Sequence, residues 1–169
     1  MARAMAKERA LFPTRIDLPP DKREGLVALL NQQLADTFDL YSQTKQAHWN
    51  VKGSEFYQLH KLFDELAEQL LEFVDVIAER ATALGGVAMG TARMAASSSR
   101  LEEYPLDAID SLQHVEALCD RFASYAATSR AAIDTAIDEY GDQGTGDLFI
   151  DVVRAADKGL WFLEAHLQG

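Results

Sequence analysis

The chain has 169 residues, a formal net charge of −11 and 48% hydrophobic residues, enough apolar material for one domain with a packed core and too much for a globally disordered chain. Cys119 is the only cysteine, which excludes an intrachain disulfide framework and is compatible with a reducing cytoplasm. No run approaches the ~20 apolar residues of a membrane span, the N-terminus lacks the apolar stretch of a cleaved signal peptide, and a body this acidic repels nucleic acid and attracts cations.

Residues 1–20 read as a flexible basic tail, in which Arg3, Lys7, Arg9 and Arg15 outweigh Glu8. Two readings of it stand: a solvated terminus, or an arm for phosphate backbones that would bind DNA without regard to sequence. Residues 21–169 read as one all-α domain. Pro19 and Pro20 halt the leader, and Asp21 with Glu24 three residues on offers a cap for a first helix over about 22–48. Its apolar positions are Leu26, Leu29, Leu30, Leu34, Phe38 and Tyr41. Gly53 and Ser54 punctuate, with Ser54 as the next cap, and Phe56, Leu59, Phe63, Leu66, Leu70, Phe73, Val74 and Ile77 carry a second helix to Leu84. Gly85-Gly86 supplies the left-handed stop.

A connection over 86–107 follows, long for a link between helices but of the length a four-helix bundle needs to cross from one end to the other. Ala92 to Ala96 suit a short helix within it. A third bundle helix is expected from Asp107 or Ala108, using Leu112, Val115, Leu118, Phe122, Tyr125, Ile133 and Ile137 until Gly141, Gly144 and Gly146 break it. Thr145 is the candidate cap of the last helix, which carries Leu148, Ile150, Val153, Leu160, Trp161 and Leu163 and ends near Leu167. The expectation is two helical hairpins joined by a long crossover.

The chemistry concentrates between His48 and Glu79. His60 and Asp64 are four apart, as are Asp75 and Glu79, so each pair projects from one face of the second helix. His48 lies at the end of the first helix, near the turn into the second. Singly, each of these reads as a packing or surface residue; together, imidazoles and carboxylates form a ligand set for iron, zinc or manganese. Asp64 and Asp75 face the same way but stand ~16 Å apart along a straight helix, and metal–ligand bonds are only ~2.0–2.2 Å long. One helix therefore cannot wrap both pairs around one ion, whereas a second copy running antiparallel across a two-fold axis can. The chain contains no Glu-x-x-His, and Glu164-Ala165-His166 has the wrong spacing, which disfavours a di-iron centre inside one bundle.

The segment KQAHWNVKGSEFYQLHKLFDELAEQLLEFVDVIAERATALGG, with YPLD at 104–107 and DKGLWFLEAHL at 157–167, resembles the Dps family, the mini-ferritins known as DNA-binding proteins from starved cells. The resemblance implies a ferritin-like four-helix protomer in a hollow dodecamer. It implies ferroxidase sites at the two-fold interfaces, where His48, His60 and Asp64 of one chain face Asp75 and Glu79 of its neighbour. It further implies Fe²⁺ as substrate, hydrogen peroxide as the preferred oxidant over dioxygen, ferric mineral stored in the cavity, protection against oxidative stress, a cytoplasmic or nucleoid location, and no organic cofactor. The similarity places Asp142, Asp147 and Asp151 at a three-fold iron-entry channel; helix-start capping is the plainer reading of the same residues. Glu65, Glu68 and Glu72 are candidates for mineral nucleation or for a solvated acidic face. Lys45 and Lys52 are candidates to pair with the partner's acids, Trp49 to pack the interface or to scavenge radical, and His114 and His166 to be surface or packing residues. The competing functions are a nucleoid-compacting DNA-binding protein acting through the basic tail, and a structural bundle holding zinc or manganese.

Overall fold

The computed structural model describes residues 11–168. Five α-helices follow one another: α1 (Pro20–Asn50), α2 (Phe56–Ala83), α3 (Ala92–Ser98), α4 (Ser111–Asp134) and α5 (Gln143–Glu164), with a π-helical turn at Thr135–Glu139 continuing α4. The long helices form the two hairpins α1–α2 and α4–α5, and α3 is the short helix of the crossover, packed on α1. No helix among the described residues is long and apolar enough to cross a membrane. The core is built largely from the predicted apolar stripes, with Leu26, Leu30, Leu34, Phe63, Ile77, Leu118 and Phe122 buried at its centre; Phe149, outside the predicted stripe of the last helix, is buried with them, whereas Leu112 and Trp161, expected on the apolar stripes, are exposed.

The helix starts differ from the sequence expectation, each for a local physical reason. Pro20 opens α1 and neither Asp21 nor any other side chain caps it; a proline there lacks the N–H that would need a cap and already has a helical φ. α2 opens behind Glu55, not Ser54, again with no side-chain cap. α4 starts at Ser111, later than expected, because Asp110 and not Asp107 has a glutamine three residues on. The Asp110 carboxylate accepts from Gln113 N (2.9 Å) and the Gln113 side chain accepts from Asp110 N (3.1 Å), a reciprocal box that satisfies two otherwise orphaned donors. α5 is capped by Asp142 instead of Thr145.

The crossover has little internal structure, so its backbone polar groups depend on α1. Asn31 donates to the Val87 carbonyl and accepts from Met89 N, Gln32 donates to the Ser98 carbonyl, and Gln43 donates to the Glu102 carbonyl. Asp36 is fully buried and receives both the backbone N–H (2.8 Å) and the side chain of Arg100. A buried carboxylate without that partner would be strongly destabilising, so the pair pins the crossover to one place on α1.

The stretch before α1 is docked from Phe12 onward, which corrects the expectation that the tail runs free to residue 20. Phe12 N donates to the Gly85 carbonyl (2.8 Å). Arg23, buried and with no carboxylate partner among the described residues, donates to the carbonyls of Leu84 (2.9 Å) and Leu18 (3.2 Å), while Ile16 and Leu18 pack on the core. Gly85 takes a φ of +88°, and a Cβ there would come 2.4 Å from the Phe12 carbonyl oxygen; the stop of α2 and the seat of the arm thus need the same glycine. Arg15 is exposed. Arg3, Lys7 and Arg9 lie outside the described residues.

Candidate metal centre

His48, near the end of α1, and His60, one turn into α2, face each other across the hairpin. Their rings stack with centroids 3.7 Å apart and 19° between planes. His48 Nδ1 donates to the His60 carbonyl (2.7 Å) and His60 Nδ1 donates to the His48 carbonyl (2.8 Å). A carbonyl only accepts, so this reciprocal clasp puts a proton on both Nδ1 atoms and makes Nε2 the ligating atom of each ring. Second-sphere bonds of this kind fix tautomer and ring orientation in metal-ligating histidines. The Phe56 ring sits against His60 at 5.1 Å, closing the far side of the stack.

Asp64 joins this group one turn further along α2, with Oδ1 at 3.8 Å from His48 Nε2. Lys45 Nζ donates to the same oxygen at 2.6 Å. That hydrogen bond holds the Asp64 carboxyl below its ordinary range, against the opposing effect of burial, with smaller help from the charges of His48, Lys45 and His60. The expectation that Lys45 would wait for a partner's acid is therefore corrected: it is engaged within its own chain, and its spacing of three from His48 on α1 is the signal that places it there. Lys52 is exposed.

Asp75 and Glu79 continue the ligand face of α2 but stand bare. Both are exposed, and within the chain neither carboxylate has an ion-pair or hydrogen-bond partner among the described residues. No three side chains of His, Cys, Asp and Glu among those residues gather closely enough in one chain to hold an ion. The five ligand candidates thus fall into a built half (His48, His60, Asp64) and an open half (Asp75, Glu79), ~16 Å apart along one helix.

Asp142 cannot serve as a free channel carboxylate. It is buried at the start of α5, where it accepts from Arg80 NH2 (2.7 Å), from Gly144 N (3.1 Å) and from the Thr145 hydroxyl. Burial pushes its carboxyl up, and the bonds from Thr145, Arg80 and Gly144 more than offset this, leaving it below the ordinary range. Thr145, expected as the cap, serves as a donor to the cap. Asp147 and Asp151 are exposed, and Asp151 lies 3.2 Å from Arg154 NH1. Glu65, Glu68 and Glu72 are exposed on α2; Glu68, four residues from Asp64 and seven from Asp75, shares the ligand face. His114 is buried, not a surface residue. Its Nδ1 lies 2.6 Å from the Tyr104 hydroxyl, and burial lowers the imidazole below its ordinary range while pushing Tyr104 up to about 12. His166 is part-buried and donates to the Phe162 carbonyl (2.8 Å).

Comparison with known proteins agrees with the fold. The ferritin-like domain model matches residues 27–169. The DNA protection during starvation protein of Agrobacterium fabrum is 43% identical over 155 residues, covering 92% of this chain and 95% of the relative. DpsC from Streptomyces coelicolor superposes with a TM-score of 0.90 at 32% identity, over 99% of this chain and 97% of that one. A Dps protein from Vibrio cholerae O1, described as a member of a broad superfamily of ferritin-like diiron-carboxylate proteins, gives 0.85 at 29% identity, over 96% and 100%. With its two long hairpins, its short crossover helix and these relatives along nearly its whole length, the chain belongs to the Dps family of ferritin-like proteins.

Proposed function

We propose that the protein is a ferroxidase and iron store whose catalytic sites form only where two subunits meet. The observation that carries this reading is the division of the ligand set: His48, His60 and Asp64 prearranged with Nε2 as the ligating atom of each ring, and Asp75 and Glu79 exposed and unpaired on the same face. An antiparallel copy of α2 brings the open half of one chain to the built half of the other, giving two equivalent sites per dimer. Each site then offers two imidazoles and three carboxylates to Fe²⁺. The carboxylates stabilise the added charge of Fe³⁺ more than that of Fe²⁺, which favours oxidation. With hydrogen peroxide, two Fe²⁺ give one electron each, the O–O bond breaks, and both oxygens leave as water or hydroxide, so no hydroxyl radical is released. Dioxygen is the alternative oxidant. The ferric product would be stored as mineral inside a hollow homo-oligomer, a dodecamer by family likeness, in the cytoplasm. Of the remaining acids, Glu65 and Glu72 stay candidates for nucleation and Asp147 and Asp151 for an entry channel, while Glu68 belongs to the seam between subunits.

Co-assembly tests this directly. Asp64→Ala and Asp75→Ala chains should each be inactive in stopped-flow Fe²⁺ oxidation. In a random mixture of the two, half of the dimers are mixed and each of those has one intact site, so about a quarter of wild-type activity should return. No recovery in a mixture shown by mass to be co-assembled would refute the shared site.

DNA binding through the tail is the second reading, favoured by the basic residues Arg3, Lys7 and Arg9 ahead of the docked segment and by the name that the Agrobacterium relative carries. Several weak arms on one assembly act together. In gel shifts at low and moderate salt, removal of residues 1–10 should abolish retardation; unchanged retardation would show that the arm is not responsible.

A further inference from the structure

The pairing of ligands fixes more than the site. If His60 of one chain meets Glu79 of the other and Asp64 meets Asp75, residue numbers facing each other across the seam sum to 139 in both cases (60 with 79, 64 with 75). The two-fold axis therefore passes between Gln69 and Leu70, and the register can be followed outward. At the start of α2, Tyr57 lies on the ligand face, seven residues before Asp64, and falls opposite Thr82 of the partner subunit. A long helical side chain leans toward its own N-terminus, which carries the Tyr57 ring toward the position opposite Gly85 of the partner subunit. Gly85 is where Phe12 is tied, by the bond from Phe12 N to the Gly85 carbonyl (2.8 Å) and by Arg23 beneath it.

Both surfaces are apolar and uncovered in the single chain. Tyr57 is 68% exposed, Trp49 66% and Phe12 57%. Trp49 stands on the same side as the site, since Lys45, which binds Asp64, lies 6.0 Å from its ring. We infer that the docked N-terminal arm of each subunit, through Phe12, covers Tyr57 of the partner subunit and so closes the outer edge of the partner's metal site. This rests on the shared-site reading for the register; the arm contact is the new element. It gives the arm an assembly role separate from any role of residues 1–10. It also gives Tyr57 and Phe12, both exposed in the single chain, an apolar partner across the seam.

Disulfide trapping in the full-length assembly tests the contact. Within one chain, positions 57 and 85 are about 42 Å apart along α2, so a bond between cysteines at 12 and 57 can only join two chains. Cys119, buried and with its thiol pushed up to about 11, stays out of the exchange. On mild oxidation the double variant Phe12→Cys/Tyr57→Cys should run as a covalent dimer on non-reducing gels, well above either single variant. Leu71→Cys, exposed beside the axis, is the register control and should dimerise by itself. A linked Leu71→Cys with an unlinked 12–57 pair would overturn the arm contact and leave the shared site standing. Failure of both would overturn the register and the shared site together. Hydroxyl-radical footprinting reads the same contact without cysteines. Tyr57 should be protected in the wild-type assembly and several-fold more reactive in Phe12→Ala; equal reactivity in the two proteins would overturn the proposal even if the cysteine variants did not assemble.

Discussion

The two halves of the ligand face on α2 are chemically alike and physically opposite. At the N-terminal half, His60 and Asp64 are surrounded: a backbone clasp orients the imidazoles, Phe56 backs the stack, and Lys45 holds the carboxylate. At the C-terminal half, Asp75 and Glu79 have no side-chain partner among the described residues, and the neighbouring Arg80 is turned inward to Asp142 and Thr145. A histidine pair needs its tautomer set before a metal arrives, and a bonded backbone does that within one chain. Two exposed carboxylates have no tautomer to set and need only be delivered. On the proposed shared-site reading, that difference lets one sequence make a site by self-association without a preformed cavity.

The comparison is broken most severely through the ligands. His60→Ala and Asp75→Ala should each reduce Fe²⁺ oxidation by more than ~100-fold, beyond the 10–100-fold typical of second-sphere partners. They should do so equally, although one residue sits in an organised cluster and the other in none. If Asp75→Ala kept most of its activity, the open half would be a solvated acidic face and the organised half would act alone. The same pair of variants separates iron chemistry from a structural zinc or manganese site, since a purely structural site leaves the oxidation rate unmoved.

Next in size is the tie between Arg80, the neighbour of Glu79, and Asp142. Asp142→Ala removes a helix cap and strands a guanidinium, which should cost about 2–3 kcal/mol of folding stability in denaturant unfolding. The pH dependence has a definite sign. The folded-state Asp142 carboxyl lies below its ordinary value, so its contribution is complete above about pH 4 and is lost as pH falls through the lower folded-state value. The gap between wild type and Asp142→Asn should therefore narrow only in acid. A gap that widened there would reverse the assignment. Freed of Asp142, Arg80 becomes available to Glu79, so the variant should also bind divalent cations less well at the shared site.

Much of this architecture is legible in the sequence, and what is not has common causes. The helices, the crossover and its short helix follow from apolar periodicity and glycine punctuation, and the division of the ligands follows from a spacing of eleven between Asp64 and Asp75. The caps are ambiguous where two candidates compete locally: Asp107 against Asp110, Ser54 against Glu55, Thr145 against Asp142. At α5 the deciding partner is Arg80, more than sixty residues away. The polar residues of α1 carry no signal of their task, because Asn31, Asp36 and Gln43 bond to a crossover whose path no local pattern specifies. The clasp of His48 and His60 is hidden for the same reason, since each imidazole bonds to the other's backbone across a turn.

Lys45 offers the subtlest test, because it belongs to the organised half and yet opposes its purpose. Its ammonium holds one Asp64 oxygen, Oδ1, at 2.6 Å and so competes with a cation for that carboxylate. Both partners are partly exposed, at 21% and 34% of their side chains, so after solvent screening the pair is worth no more than ~1 kcal/mol. Lys45→Met should thus bind Co²⁺ or Zn²⁺ about 5-fold more tightly in calorimetric titration, with the gain shrinking as salt is raised. If affinity instead fell, Lys45 would be an organiser that holds Asp64 in its ligating rotamer. The organised half would then depend on a side-chain brace as well as on the backbone clasp. The open half has neither, so the same substitution should leave the register of the seam, read by the Leu71→Cys cross-link, unchanged in either case.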